Sequence, residues 1–261
     1  MYLRWKRLLP PWIEVIPIEL PGRGSRVCED PQHDYRRLVD LLSQEIQSAA
    51  MGNYVLFGHS MGALLAYGVT RQLYRLTGQL PDALLVSGCE APARQNGERY
   101  RKIRTQAALI TDLNQQGGTP AEVFNTPELL AMIVDVLRID YRVCGSFEYV
   151  KEELIPVPIH CFGGKSDAIS ADHLNSWRQE SDNQYPPIFG AKKRFLRSIG
   201  STVVISFYVN RKRNFSKLFK NDCWKVRKER CGATLQWLER QYRWLGMRGC
   251  TSAYFEFPSN K

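Results

Sequence analysis

Histidine is scarce in this chain of 261 residues, and it is absent from the last third. The four histidines are His33, His59, His160 and His173. The seven cysteines are scattered, with no CxxC pair and no cluster of cysteine and histidine at the spacing that zinc sites use. We therefore expect no metal site and no cofactor, and we interpret the cysteines as reduced thiols.

Long apolar runs are also missing. The richest apolar segment, 54–69, contains His59, Ser60 and three glycines, so it is too polar to span a membrane. The basic N-terminus lacks the apolar core of a signal peptide, because three prolines interrupt residues 10–17. The sequence predicts a cytoplasmic protein without a membrane partner.

Acidic residues are rare in the C-terminal tail. Residues 186–261 hold 17 Lys and Arg against 4 Asp and Glu, whereas residues 1–185 carry a net charge of −3. Three aromatic residues interleave with the basic ones, as stacking and phosphate contacts with a nucleic acid would require, namely Phe215, Phe219 and Trp224. No RRM, OB or zinc pattern accompanies them. We therefore favour an unstructured basic extension and do not expect nucleic acid to be a partner.

Alternating strand and helix patterns predict an α/β fold with a mostly parallel sheet covered by helices. Apolar and β-branched runs predict strands over 12–20, 54–57, 83–87, 155–162 and 202–209. Helical spacing of apolar residues predicts helices over 35–49 and 61–76, and more weakly over 235–245. Polar residues over 97–150 interrupt the alternation and predict a helical insertion, with a helix around 127–141. We expect a single domain over 1–261.

A GxSxG motif carries the strongest chemical signal. It reads Gly58-His59-Ser60-Met61-Gly62 and stands between a buried strand and an amphipathic helix. The two glycines allow a tight turn that raises the Ser60 hydroxyl above the sheet, and the turn directs the Met61 N–H at a developing oxyanion. The alternative is a chance pentapeptide in an ordinary strand-to-helix turn. We favour Ser60 as a nucleophile.

A serine nucleophile needs a base, which is usually a histidine oriented by an acid. Asp167 follows an apolar strand in a Gly-Gly loop and is the candidate acid. His173 is the one histidine after it, and it falls in the first turn of the next helix, where a solvated role is expected. His160 lies within a strand, and His59 is expected to point away from the Ser60 hydroxyl. The sequence contains no well-placed catalytic histidine.

Several segments together resemble the type II thioesterases of nonribosomal peptide and polyketide synthesis, which have the α/β-hydrolase fold with a helical lid insertion. The most specific are Leu-Pro-Gly-Arg-Gly-Ser-Arg at 20–26 and Leu-Phe-Gly-His-Ser-Met-Gly-Ala at 56–63. Weaker matches are 86–89, 117–120, 127–130, 137–141, 158–167 and Trp177. The resemblance covers roughly residues 5–185 and fades where the basic tail begins.

The resemblance implies that Ser60 forms an acyl-enzyme from an acyl or aminoacyl group on the phosphopantetheine arm of a carrier protein. Such enzymes clear misprimed synthetases, which connects them with antibiotic biosynthesis. Asp167 would be the triad acid, the insertion over 97–150 would be the lid, and the protein would be a monomer.

Two departures from the family pattern bear on activity. The family's opening strand and its loop with the second oxyanion donor would precede Trp5. The family histidine is expected where Lys193 stands. We hypothesise that the 5′ portion is absent and that the tail is out of frame or replaced. Lys193 as the base, or an inactive thioesterase remnant, are the alternatives.

Overall fold

A computed structural model describes residues 13–49, 53–117, 119–164, 169–182, 188–190 and 204–209. Its strands are β1 (Ile13–Ile18), β2 (Tyr54–His59), β3 (Ala83–Ser87), β4 (Ile159–Gly164), β5 (Ile188–Gly190) and β6 (Val204–Val209). Its α-helices are α1 (Tyr35–Ala49), α2 (Met61–Thr77), α3 (Gly97–Lys102), α4 (Gln106–Gln116), α5 (Ala121–Phe124), α6 (Pro127–Ser146) and α7 (Ala171–Asn175). None of the described helices is long and apolar enough to cross a membrane.

The described strands form one sheet in the order β1-β6-β2-β3-β4-β5. β2, β3, β4 and β5 pair in parallel, whereas β6 is antiparallel to both of its neighbours, β1 and β2. β1 therefore runs in the same direction as β2. The carboxyl ends of β1 to β5 meet at one edge of the sheet, where open α/β sheets place their ligands.

The core lies between the sheet and the helices beside it. All six residues of β2 are buried, as expected for a strand covered on both faces. α1 and α2 supply many of the apolar side chains, and Leu42 and Leu65 are fully buried. Gly68 allows the two helices to approach, because a Cβ there would lie 2.8 Å from Val39 Cγ2. The Tyr35 hydroxyl donates to the Leu64 carbonyl at 2.8 Å.

Among the described residues, four α-helices lie between β3 and β4. α3 to α6 have a small core of their own, formed by Leu109, Val134, Leu137 and Tyr141. A polar network accompanies this core. The Tyr141 hydroxyl donates to the Asp112 carboxylate, and Arg99 Nη2 lies 3.0 Å from Asp112 Oδ1. The predicted helical insertion is therefore present as helices between Gly97 and Ser146.

Most predicted elements form with small shifts at their ends. The strand predicted over 155–162 begins later, at Ile159, because Pro156 and Pro158 have no N–H to donate to a ladder. Ile155 makes only an isolated bridge to Ser181. The predicted helix around 127–141 continues to Ser146. The helix predicted over 235–245 lies outside the described residues.

Candidate active site

Ser60 occupies a one-residue turn between β2 and α2. Its backbone has φ 53° and ψ −124°, and it is the only non-glycine residue of the described chain with positive φ. Such a conformation costs about 1–3 kcal/mol. Its N–H donates to the Ser87 carbonyl at 2.8 Å, while its carbonyl accepts from Ala63 N–H at 2.9 Å. The turn is thus held from both sides, and Ser60 itself is exposed at the carboxyl edge.

Gly58 is glycine because β2 passes directly under the first turn of α2. A Cβ at Gly58 would lie 2.5 Å from Ala63 N and closer still to the Gly62 carbonyl. These neighbours are backbone atoms, so they cannot move aside as a flexible side chain would. The close passage sends the chain sharply from strand to helix and leaves Ser60 at the apex.

The Met61 N–H belongs to the first turn of α2, where helix N–H groups lack intrahelical acceptors. This helix has 17 residues and no acidic residue in its first turn, so the positive end of its dipole is not neutralised there. An oxyanion formed next to Ser60 would meet this field. The geometry therefore suits the predicted role of Met61 as an oxyanion donor.

His59 is buried and packs against the end of β3. Its Nδ1 is 3.2 Å from Ser87 Oγ. Gly88 has φ 56°, and a Cβ there would lie 2.6 Å from His59 Cε1. A glycine in the left-handed region at this position thus makes room for the imidazole. The sequence did not indicate this His59–Gly88 contact, although both residues fall in segments that carry the resemblance.

The other described histidines lie in β4, in α7 and in the loop before α1. His160 is 3% exposed in β4, and burial lowers its pKa to about 4, so it is neutral at neutral pH. His173 lies in α7 with Nδ1 2.6 Å from Glu90 Oε1. His33 is exposed in the loop before α1. Among the described residues, no hydrogen bond to the Ser60 hydroxyl is found. Asp167 and Lys193, the predicted acid and the alternative base, lie outside the described residues.

The Leu-Pro-Gly-Arg loop follows β1 and reaches the same edge of the sheet as Ser60. Arg23 Nη2 donates to Asp140 Oδ1 of α6 at 2.6 Å, and the Asp140 side chain is 3% exposed. Gly22 has φ 80° and lies against Pro31, which only a glycine permits there. The ion pair joins this loop to the inserted helices. Both segments carry the family resemblance, but nothing in the sequence indicates that these two charges pair.

The loop after β3 contacts the segment that follows β4. Trp177 Nε1 donates to the Cys89 carbonyl at 2.9 Å, and Arg94 Nε donates to Ser176 Oγ at 2.6 Å. These contacts hold α7 and the 3₁₀ turn Ser176–Gln179 at the carboxyl edge. Within the described ranges, no group of three or more His, Cys, Asp or Glu side chains could hold a metal ion.

Comparison with known proteins agrees with this geometry. Residues 1–189 match the family model of the thioesterase domain. The chain is 31% identical over 185 residues to the gramicidin S biosynthesis protein GrsT of Aneurinibacillus migulanus, covering 70% of this chain and 72% of that protein. It is 30% identical over 190 residues to the protein named linear gramicidin dehydrogenase LgrE of Brevibacillus parabrevis, covering 71% and 72%.

Solved structures give the same result. The thioesterase RedJ from the prodiginine pathway of Streptomyces coelicolor has a TM-score of 0.64 at 27% identity, covering 69% of this chain and 72% of its own. ClbQ from the colibactin NRPS/PKS pathway has a TM-score of 0.66 at 28% identity, covering 72% and 80%. The chain therefore belongs to the thioesterase domain family of α/β-hydrolases and is a type II thioesterase of the kind found in nonribosomal peptide and polyketide pathways.

Proposed function

We propose that Ser60 is the nucleophile of a thioester hydrolase that removes acyl or aminoacyl groups from the phosphopantetheine arm of carrier proteins. The backbone conformation of Ser60 carries this proposal. Positive φ at a serine is strained, and the strain is maintained here by the Gly58 crossing and by hydrogen bonds to Ser87 and Ala63. Strain of this kind clusters at active sites, where it fixes the direction of a reacting group.

The proposed reaction proceeds in two steps. The Ser60 hydroxyl adds to the thioester carbonyl, and the Met61 N–H stabilises the oxyanion. The carbon–sulfur bond then breaks, the phosphopantetheine sulfur leaves as a thiol with the proton that Ser60 gave up, and an acyl-serine ester remains. Water adds to this ester in the second step, which releases a carboxylic acid and restores the hydroxyl. Asp167 is proposed as the acid that orients the base.

The inserted helices are proposed to form the lid over 97–150. They follow β3 and attach through the Arg23–Asp140 pair to the loop after β1, which lies at the same edge of the sheet as Ser60. An acyl-phosphopantetheine arm would pass beside them to reach Ser60. The relatives named for gramicidin S biosynthesis and for the colibactin NRPS/PKS pathway support a role in such a pathway. The carrier-bound substrate and the editing role are our proposal from the family resemblance. We further propose that the chain acts as a monomer and as a single domain.

A second candidate follows from the histidines. His59 lies beside Ser87, His160 is buried in β4, and His173 faces Glu90. None of these contacts involves the Ser60 hydroxyl, so the alternative is a thioesterase remnant that keeps the fold but does not turn over substrate. Such a remnant would still present the elbow and the lid.

The test uses the full chain and an acetyl-phosphopantetheine carrier protein, with Ser60→Ala as the matched control. Hydrolysis is measured as thiol released, and the mass of the carrier confirms loss of the acetyl group. Reaction with a fluorophosphonate shows whether Ser60 is activated. We expect both signals to depend on Ser60. Release no faster than that of Ser60→Ala, together with no labelling, would establish the remnant instead.

A further inference from the structure

β6 comes from the basic tail, yet it lies within the sheet of the thioesterase domain. β1 and β2 run in the same direction but do not pair with each other, because each pairs with β6. Neighbouring strands are about 4.8 Å apart, so one intervening strand keeps β1 and β2 about 10 Å apart. They cannot form a ladder together at that distance.

The pairing is extensive on both sides of β6. All six residues of Ile13–Ile18 have partners in Val204–Val209, and residues 54–58 of β2 have partners in 204–208. The antiparallel direction brings Val204 opposite Gly58, next to the elbow. Residues 204–209 therefore provide backbone hydrogen-bond partners for both β1 and β2, and Val204 lies at the same edge of the sheet as Ser60.

Removing this segment would leave two facing strand edges without partners. β2 is wholly buried, and Ile13 and Val15 of β1 are also buried. Buried backbone donors and acceptors need hydrogen bonds, and an open strand edge readily pairs with another chain. Pro17, which has no N–H, fits β1 because β1 ends the described sheet and pairs on one side only.

We propose that the gap between β1 and β2 is a strand-accepting site, and that residues 204–209 of the same chain are its occupant. The sequence of this occupant, Val-Ile-Ser-Phe-Tyr-Val, is rich in β-branched and aromatic residues, which favour strands. Main-chain pairing, rather than the positive charge of the tail, attaches the tail to the domain. The proposal does not depend on the reaction proposed for Ser60.

An engineered disulfide tests the occupant and its register. Glu14 is exposed and lies opposite Tyr208, and Cα atoms of antiparallel partners are about 4.5–5.5 Å apart, within the range that a disulfide spans. The test variant is Glu14→Cys with Tyr208→Cys, in a Cys28→Ala background that removes an exposed thiol. The matched control is Glu14→Cys with Phe207→Cys, one residue out of register, which changes the face of the strand.

Under mild oxidation, we expect the in-register variant to cross-link almost completely within the monomer and the control to remain largely reduced. Mass spectrometry of the digested protein identifies the linked peptides. A bond between two chains would show that a second copy fills the site, which would overturn the assignment to the same chain. Equal yields in both variants, or no bond in the first, would overturn the proposal altogether.

Hydrogen exchange in the unmodified chain gives an independent readout. The amides of β1 that face β6 should be protected, because β6 is the neighbour of β1 in the described sheet. Exchange of all β1 amides at the rate of an unfolded chain would also contradict the proposal.

Discussion

The proposed active site has two sides, the elbow around Ser60 as the proposed nucleophile side and the region of α7 as the proposed acid–base side, and they are built by different kinds of contact. On the nucleophile side, Ser60 is fixed by residues close to it in sequence and by one bond to the neighbouring strand. On the acid–base side, α7 is held by contacts between distant segments, and its histidine faces Glu90. A turn whose shape is imposed mainly by neighbouring residues is specified by local sequence, whereas an arrangement of distant groups depends on each segment being present.

The largest loss of stability is expected from Gly58→Ala, which changes the turn on the nucleophile side. The new methyl group would overlap backbone atoms of Gly62 and Ala63, so β2 and α2 would have to separate. We expect a loss of about 4 kcal/mol or more in the free energy of unfolding, or no folded protein. Gly78→Ala is the control, because its added methyl meets nothing within 4 Å and only its positive φ costs stability, about 1 kcal/mol. Equal losses measured by denaturant unfolding would contradict this explanation.

Asp140→Ala removes the charge that connects the Leu-Pro-Gly-Arg loop to α6. It would leave the Arg23 guanidinium, 14% exposed, without its anion. Breaking a buried pair in this way costs about 3–5 kcal/mol, and the partial exposure places our estimate at about 3 kcal/mol. The control is Asp135→Ala, which breaks the exposed pair with Arg138 and should cost less than about 0.5 kcal/mol. Similar losses in the two variants would show that the loop is not anchored by this contact.

The buried His160 makes the stability of the fold depend on pH. Burial lowers its pKa to about 4 in the folded protein, against 6.5 for the ordinary group. As the pH falls below 6.5 the unfolded chain takes up a proton first, so stability decreases between pH 6.5 and 4 by up to about 3 kcal/mol. His160→Gln should remove this part of the pH dependence, as followed by urea unfolding at several pH values. An unchanged slope would show that His160 titrates normally.

Ser206→Pro tests the strand from the tail. Proline removes one N–H and disturbs a ladder that β6 makes with two neighbours, so a loss of about 2 kcal/mol is expected. Ser216→Pro, in the part of the tail that has no described structure, is the control for the effect of proline alone. If both variants unfold at the same denaturant concentration, β6 contributes nothing to the stability of the domain.

The sequence predicts the elbow around Ser60 better than it predicts the contacts between distant segments. The strand and helix that flank Ser60 were predicted within two residues, because hydrophobic period and glycine spacing are local signals. The Arg23–Asp140 pair spans 117 positions, and no spacing rule connects such residues. The strand character of 202–209 was predicted, but its place between β1 and β2 was not, since strand order depends on which edges are open in the folded chain.

The smallest effect is expected on the acid–base side itself. His173 is 37% exposed and its Nδ1 is 2.6 Å from Glu90, a pair that stabilises the fold by at most about 1 kcal/mol. If the hydrolysis proposed for Ser60 takes place, His173→Gln should change its rate by less than about twofold, because His173 faces Glu90 and is not expected to be the base. Loss of a general base would instead lower the rate by about 10²–10⁴-fold. Ser60→Ala gives the background rate of the assay, and Glu90→Gln reports the loss of the His173–Glu90 contact alone. A fall of a hundredfold in His173→Gln, with Glu90→Gln close to the unmodified rate, would make His173 the base and give the distant side of the site a catalytic group after all.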